Sequence, residues 1–422
     1  MNQPLESQQP WESRIGRRPV YIWGARAIGC GMLRTAERLG LNFAGFLDSD
    51  PALHGKLVLG QLVQDSALLP SLLNSANRPY IVTAASASEP ALRELCLDHG
   101  LIPDQDFCST YSFCDYEYVI DIVGSCNLRC PSCARGNFGT QPPPGLMSPE
   151  KFKEIVAKIL RESPGVNVIS LYNWGEPLLH PKLPEIISTL REHKIFSSFS
   201  SNLNIERDLK PILMAKPDML KVSLSGFYQE TYSKGHARGD IRLVKSNLYR
   251  LRYLMDKYHP DLNVEVIFHK YKYNLERDYH KVKELCEELN FIFASCFAYM
   301  MPVEKVIAYS QGEMSEQDRV IADALLVEIN GALKEARQRK KTGCSLLEKQ
   351  VLVNWDGSVS LCCASFDPAI TVVEKDFLQV PVADIRRSKN KNPLCGSCMK
   401  TGVHQYYFET SQNGPRDPLT LI

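Results

Sequence analysis

Residues 118–136 read YVIDIVGSCNLRCPSCARG. The first six residues form a short apolar run, the pattern of a buried strand. Directly after it, Cys126, Cys130 and Cys133 follow one another in a C-x3-C-x2-C spacing. Three thiolates on one tight loop suit three irons of a [4Fe–4S] cluster; such clusters are held by cysteine thiolates, four in a closed site. Three protein ligands leave one iron open, and an open position is what a catalytic metal site needs. A zinc knuckle or unliganded core thiols would satisfy the spacing alone, so the place of the loop in the fold carries equal weight.

Outward from this loop, strand and helix patterns alternate. Strands are predicted at 118–123, 166–172, 196–201, 219–225, 263–269 and 291–297. Helices are predicted from Ser148-Pro149, where a cap and a first-turn proline coincide, and over about 184–194, 206–215, 242–257 and 276–289. Six βα units imply an incomplete TIM-like barrel, whose chemistry lies at the C-terminal strand ends. The cysteine loop falls at the end of the first of these strands.

Upstream, VYIWGA, FAGFLDSDP and YIVTAA read as strands separated by helical stretches, with Gly40 as a C-cap. This alternation implies a second parallel α/β unit over 18–115, Rossmann-like in character. Its glycine loop places Arg26 where the dinucleotide fingerprint wants glycine, although Asp48 keeps a ribose contact open. Arg26 and Gly29 at a helix N-terminus would equally suit a phosphate. Downstream, 315–341 reads as one long, partly charged helix. VLVNWDGSVSLCC then reads as a hairpin turning at Asp356-Gly357.

The C-terminal segment carries a second group, Cys344, Cys362, Cys395 and Cys398. A hairpin and a CxxC loop supplying four thiolates would close a cluster or a tetrahedral zinc site. Cys363 would exchange roles with Cys362. The scattered Cys30, Cys96, Cys108, Cys114, Cys286, Cys296 and Cys363 read first as small buried hydrophobes.

Composition sets outer limits. The 422 residues amount to roughly three domains at about 150 residues each. With 44% hydrophobic and 23% charged residues, a mainly disordered chain and a small disulfide scaffold are excluded. A net charge of +1 offers no bulk field for nucleic acid, and none is expected as a partner. No run approaches the ~18 consecutive apolar residues of a membrane span. The N-terminal stretch, with Glu6 and Glu12 and no apolar core, is not a signal peptide and is expected to fray over 1–17. Fourteen cysteines without an export signal point to reduced thiols and a cytoplasmic location.

The cysteine spacing, its position and the later strand ends resemble the radical S-adenosylmethionine (radical SAM) superfamily. The resemblance implies that S-adenosylmethionine chelates the open iron, and that its reductive cleavage yields a 5′-deoxyadenosyl radical that removes hydrogen from a substrate carbon. A low-potential electron donor of flavodoxin or ferredoxin type is implied as partner. The family usually has an aromatic residue before the third cysteine; here it is Ser132. Gly175-Glu176-Pro177 matches the GGEP motif with Trp174 in the first position. By the same resemblance Ser201, Asn202 and Ser223 lie where polar contacts to S-adenosylmethionine fall, and Arg238 would meet its carboxylate as a planar fork. His180 and His269 are expected to be structural or substrate-facing.

The tail resembles the short "twitch" form of the SPASM extension, implying a second, auxiliary [4Fe–4S] cluster. The expected architecture is therefore α/β: a tail over 1–17, a Rossmann-like domain over 18–115, a partial (β/α)6 barrel over 116–312, and a linker helix with a twitch/SPASM-like domain over 313–422. The N-terminal unit resembles Rossmann domains attached to bacterial sugar-modifying proteins, including sialic-acid acetyltransferase-like and polysaccharide-biosynthesis families. The expected reaction is oxidation or epimerisation of a small molecule, a carbohydrate or nucleotide-linked sugar. In an epimerase a thiol returns hydrogen, and Cys296 and Cys363 are the candidate catalytic donors. A peptide-modifying maturase, or a non-catalytic iron–sulfur regulator or electron carrier, are the alternatives.

Overall fold

The computed structural model describes residues 14–84, 89–114, 116–341 and 343–406. Residues 1–13 of the expected tail lie outside this description. Ile15 is 1% exposed in an apolar core with Val20, Ile22 and Phe46, so ordered structure begins before residue 18. The chain divides into two compact units. One is the described part of Met1–Asp115 with Ser163–Val168 and Glu192–Phe196; the other takes the remainder, so the barrel segment and the cysteine-rich tail share a unit.

The first unit holds β1 (Val20–Trp23), β2 (Phe43–Asp48), β3 (Leu57–Val58), β4 (Gln61–Asp65), β5 (Tyr80–Thr83) and β6 (Phe107–Ser109), in the sheet order β3-β4-β2-β1-β5-β6. β1 pairs in parallel with both β2 and β5, the reversal that defines a doubly wound Rossmann-like sheet. Gly24 leaves β1 at φ +118°, and a Cβ there would lie 2.3 Å from the Ala84 carbonyl oxygen, so only glycine fits. The Asp48 carboxylate already accepts from the backbone N–H groups of Ala25 (2.8 Å) and Asp50 (2.9 Å), and Arg26 pairs with Asp50 at 2.7 Å. Both polar groups singled out in this loop are thus engaged within it.

The second sheet contains β7 (Glu117–Asp121), β8 (Val168–Ser170), β9 (Phe196–Ser201), β10 (Met219–Leu224), β11 (Asn263–Lys270) and β12 (Ile292–Phe297), followed by β13 (Gln350–Asn354), β14 (Val359–Ser360) and β15 (Val372–Glu374). Its order is β12-β11-β10-β9-β8-β7-β13-β14-β15, so the six expected strands stand side by side in chain order. Side chains alternate with period two. In β10 and β11, Leu220, Val222, Leu224, Val264, Val266 and Phe268 are buried, while Lys221, Ser223, Glu265, Ile267 and His269 on the other face are half-buried. The helix Pro149–Glu162 begins at Ser148, whose Oγ accepts from Lys151 N at 3.2 Å. It buries Phe152, Ile155, Val156 and Ile159 at i, i+3, i+4 and i+7; each such side chain contributes about 1.5–3 kcal/mol.

Three expectations change. The segment 315–341 is two helices, Glu316–Ala324 and Ile329–Gln338. Leu325 breaks the run because it is fully buried in a bridge to Tyr271, and the Glu328 carboxylate restarts it by capping Asn330 N and Gly331 N. The helix expected over 206–215 covers only Lys210–Met214, since Pro211 belongs in a first turn. The hairpin forms, with Gly357 at φ +93°, but it is not separate from the barrel. β13 pairs in parallel with β7, register Val119 to Leu352 and Asp121 to Asn354. No helix among the described residues is long and apolar enough to cross a membrane.

Candidate active site

The loop after β7 is wound tightly by its own backbone. Cys133 N donates to Cys130 O (3.0 Å), and Gly136 N and Asn137 N donate to Cys133 O. A Cβ on Gly136 would lie 2.2 Å from Cys130 O, so the turn closes only over glycine. Arg129 Nη1 donates to the carbonyl oxygens of Cys126 (2.8 Å) and Leu128 (2.7 Å), and Arg129 N to Ala237 O (3.1 Å). Asn137 Nδ2 holds both Pro131 O and Met301 O at 2.8 Å. At the position where the family has an aromatic residue, Ser132 Oγ meets the Tyr271 hydroxyl at 2.7 Å. An aromatic group therefore does reach this point, from just beyond β11.

The three thiols fit an iron–sulfur cluster by their chemistry. Among the described residues, no three His, Cys, Asp or Glu side chains gather around a single ion. The thiols are nevertheless close enough for Cys126 and Cys133 to raise Cys130 electrostatically. Three thiols of this kind suit a multi-iron group in which each thiolate takes its own iron. Burial is the main cause that pushes Cys126 up to about 12 and raises Cys130 and Cys133 as well. Buried thiols of this kind become thiolates when a cation compensates them.

The next strand ends are tied to this loop. Asp121, last in β7, accepts from Trp174 N (3.0 Å) and Gly175 N (3.3 Å). Burial pushes Asp121 up to about 6, opposed by these N–H groups and by Arg135. Glu176 is 3% exposed; its Oε1 accepts from Leu178 N (3.0 Å) and its Oε2 from Asn202 N (2.9 Å). Its own N–H donates to Ser125 O, next to Cys126. Asn202 Nδ2 reaches Asn127 Oδ1 at 3.0 Å and lies 3.8 Å from Cys126 Sγ. Ser201 Oγ accepts from Leu203 N, and Pro177 opens the short turn Pro177–Leu179. The structure thus brings Gly175, Glu176, Ser201 and Asn202 to the cysteine loop. Asp121, not singled out in the sequence, is the hinge of the arrangement. Its one signal is a charge inside an apolar strand.

Ser223 faces Ser200, Oγ to Oγ 3.4 Å, on the half-buried side of β10. Arg238 is exposed at φ +73°, in a turn fixed by Ala237 O on Arg129 N. His180 is structural: Nε2 meets Met147 O at 2.7 Å and Nδ1 accepts from Lys182 N. Tyr232, His236 and His269 form a stack, with centroid separations of 4.9 and 6.2 Å, and His236 Nδ1 meets Ser225 Oγ at 2.5 Å. Cys296 sits opposite His269 in register, and burial pushes its thiol up to about 11.

The stack predicts a pH dependence. Burial holds His236 down to about 3 and His269 to about 4, against about 6.5 unfolded. Below that value the unfolded chain takes up protons that the fold does not, so stability is complete above about pH 6.5 and falls as pH drops toward the folded values, by up to about 1.4 kcal/mol per unit for each ring. Urea unfolding near pH 7 and near pH 5 should show a smaller loss in His236→Phe than in the native chain. Equal losses would remove His236 as a cause.

In the second group, Cys344 precedes the helix Ser345–Glu348 and Cys362 follows β14. The CxxC pair is not on a loop. Cys395 and Cys398 lie one turn apart on the helix Pro393–Thr401, capped by the Asn392 side chain on Leu394 N at 2.9 Å. Cys398 is raised by burial first and then by the charges of Cys362, Cys344 and Cys395. Cys363 N donates to Gln350 Oε1 at 2.7 Å, and its thiol is raised chiefly by burial. A donor set of four thiols again suits a cluster by its chemistry. Of the scattered cysteines, Cys30, Cys96, Cys108 and Cys286 are buried, as expected, whereas Cys114, Cys296 and Cys363 are only partly so.

A parallel half-barrel with a three-cysteine loop at the end of its first strand defines a class. Residues 120–258 match the Radical SAM superfamily, and the chain carries a radical SAM domain. A probable GTP 3′,8-cyclase of Methanococcus maripaludis is 32% identical over 133 residues, which cover 31% of this chain and 43% of the relative, so the chain spans less than half of that protein. The tungsten-containing aldehyde ferredoxin oxidoreductase cofactor-modifying protein of Pyrococcus furiosus is 22% identical over 58% of this chain and 69% of its own length. Among solved structures, SuiB of Streptococcus suis bound to S-adenosylmethionine is 13% identical over 67% of each chain, with a TM-score of 0.45.

Proposed function

We propose that this chain is a radical SAM oxidoreductase or epimerase acting on a carbohydrate or nucleotide-linked sugar, assisted by an auxiliary [4Fe–4S] cluster. The observation that carries the reading is the single network joining the Cys126–Cys133 loop to the ends of β7, β8 and β9 through Asp121, Glu176 and Asn202. Cys126, Cys130 and Cys133 would hold the first cluster, and Cys344, Cys362, Cys395 and Cys398 the second. When bound and reduced, the first cluster with S-adenosylmethionine supplies a radical able to remove hydrogen from an unactivated carbon.

The residues of the chain do the rest. Asp121 fixes the Gly175 turn, whose backbone edge would take the cofactor ammonium in a charge-assisted contact. Glu176 locks the end of β9, which sets Ser201 and Asn202. Ser223 would take the ribose side, and Arg238, exposed in its turn, would meet the carboxylate. Cys296, near the end of β12, would return hydrogen, with Cys363 as the second candidate. The proposed division keeps a Rossmann-like domain, a barrel and a twitch-like tail, with a flavodoxin or ferredoxin type protein as reductant. The cyclase relative carries a nucleotide in its name, which supports a nucleotide-linked substrate here.

Anaerobically reconstituted protein with dithionite and S-adenosylmethionine should release 5′-deoxyadenosine and contain about eight iron atoms, four per cluster. Nucleotide sugars should accelerate release; acceleration by peptides alone would overturn the sugar assignment. Cys296→Ala or Cys363→Ala should stop epimerisation while leaving cofactor cleavage intact, and full turnover in both would remove the thiol donor.

A further inference from the structure

The helix Val382–Asn390 buries one stripe, Val382, Ile385 and Lys389. Positions i, i+3 and i+7 of an amphipathic helix face the interior, and the third would ordinarily be aliphatic. Here it is a lysine that is 0% exposed. Its Nζ donates to Leu346 O at 3.0 Å and to Gln350 O. Both acceptors belong to the cysteine-bearing frame: Leu346 lies two residues after Cys344, and the Gln350 side chain holds the Cys363 N–H. No carboxylate forms an ion pair with Lys389 among the described residues; burial lowers its ammonium, and Cys362, Cys344, Cys363 and Cys395 oppose that.

Sealing an ammonium from water costs several kcal/mol unless an opposite charge lies nearby. Two carbonyl oxygens satisfy hydrogen bonds but bring no counter-charge. The negative charge available to this lysine is that of cysteine thiolates. Four thiolates around an iron–sulfur core leave the whole group net negative, and an added electron makes it more so. A cation held inside the protein beside such a group favours the reduced form. Net charge and solvent exposure are among the factors that set cluster potentials.

We propose that Lys389 is the internal counter-cation of the centre formed by Cys344, Cys362, Cys395 and Cys398, and that it raises the reduction potential of that centre. The inference rests on the reading of these four residues as the ligands of an auxiliary cluster. Lys389 is a positioning and tuning residue and need not touch substrate. Its consequence is an electron acceptor poised to take an electron from a substrate radical, which favours oxidation as the outcome.

The test uses the full chain with Cys126, Cys130 and Cys133 replaced by alanine, so that only the C-terminal centre is loaded anaerobically. Paramagnetic resonance at a series of fixed potentials gives its ratio of reduced to oxidised form. In Lys389→Met that ratio should fall at least about tenfold at a given potential, a negative shift of about 59 mV for one electron. Lys389→Arg, which keeps the charge, should stay within about threefold of the parent. Should the methionine variant fail to fold, Lys389→Gln gives the same reading with a polar side chain of similar reach. An iron centre whose potential is unmoved by loss of the charge overturns the role of Lys389 alone. A parent chain that takes up no redox-active iron overturns the auxiliary-cluster reading together with it.

Discussion

Alanine in place of any one of Cys126, Cys130 or Cys133 is expected to reduce 5′-deoxyadenosine formation to background, a fall of more than about a thousandfold or ~4 kcal/mol of barrel-mouth catalysis. Iron should drop from about eight to about four atoms per chain, because the second group would keep the cluster proposed for it. The size of the effect follows from the loop. Its backbone is closed through Cys130 O and Cys133 O, which holds each thiol at a fixed place in the turn. Cys126 is the most informative of the three, since Asn202 lies 3.8 Å from its sulfur and couples it to β9. A single alanine variant that kept eight irons and native cleavage would refute the assignment of that residue.

Gly175→Ala is expected to lower affinity for S-adenosylmethionine at least about tenfold, 1.4 kcal/mol. A Cβ on Gly175 would lie 1.8 Å from Val123 O and 2.9 Å from Asp121 Oδ1. Backbone on one side and a buried carboxylate on the other leave the methyl group no exit. The turn must move away from β7, and the N–H groups of Trp174 and Gly175 then lose Asp121. Overpacking of this kind costs about 1–3 kcal/mol, so thermal unfolding should shift as well. Equilibrium binding of the cofactor separates the two effects. Native affinity in a destabilised variant would take the turn out of the cofactor site.

Five of the six barrel strands were legible as short, largely apolar stretches with flanking turn chemistry, while FSSFSS at Phe196–Ser201 is mostly serine. The cysteine loop was legible from its spacing together with its place after the first barrel strand, and the Gly175-Glu176-Pro177 turn from the family resemblance. Long-range pairing was not. Nothing local in Gln350–Asn354 says that it lies beside Glu117–Asp121, more than two hundred residues earlier. Nor does one charged residue in YVIDIV announce that it anchors the next strand end. The break at Leu325 depended on Tyr271, again a distant partner. By contrast, the helix under Cys395 and Cys398 had local signals, Asn392 as cap and Pro393 in the first turn. The buried Lys389 follows an amphipathic period but inverts its chemistry, and only the folded neighbourhood explains it.

The parallel contact between β7 and β13 has a consequence for how the molecule is assembled. The strand that presents the first cysteine loop is stitched along its outer margin by the hairpin that leads to Cys362. Cutting the chain ahead of that hairpin would strip the seam and leave an adhesive row of unmatched amides. The two sulfur-rich centres are therefore parts of one continuous fabric, and neither is a cassette that can be lifted out.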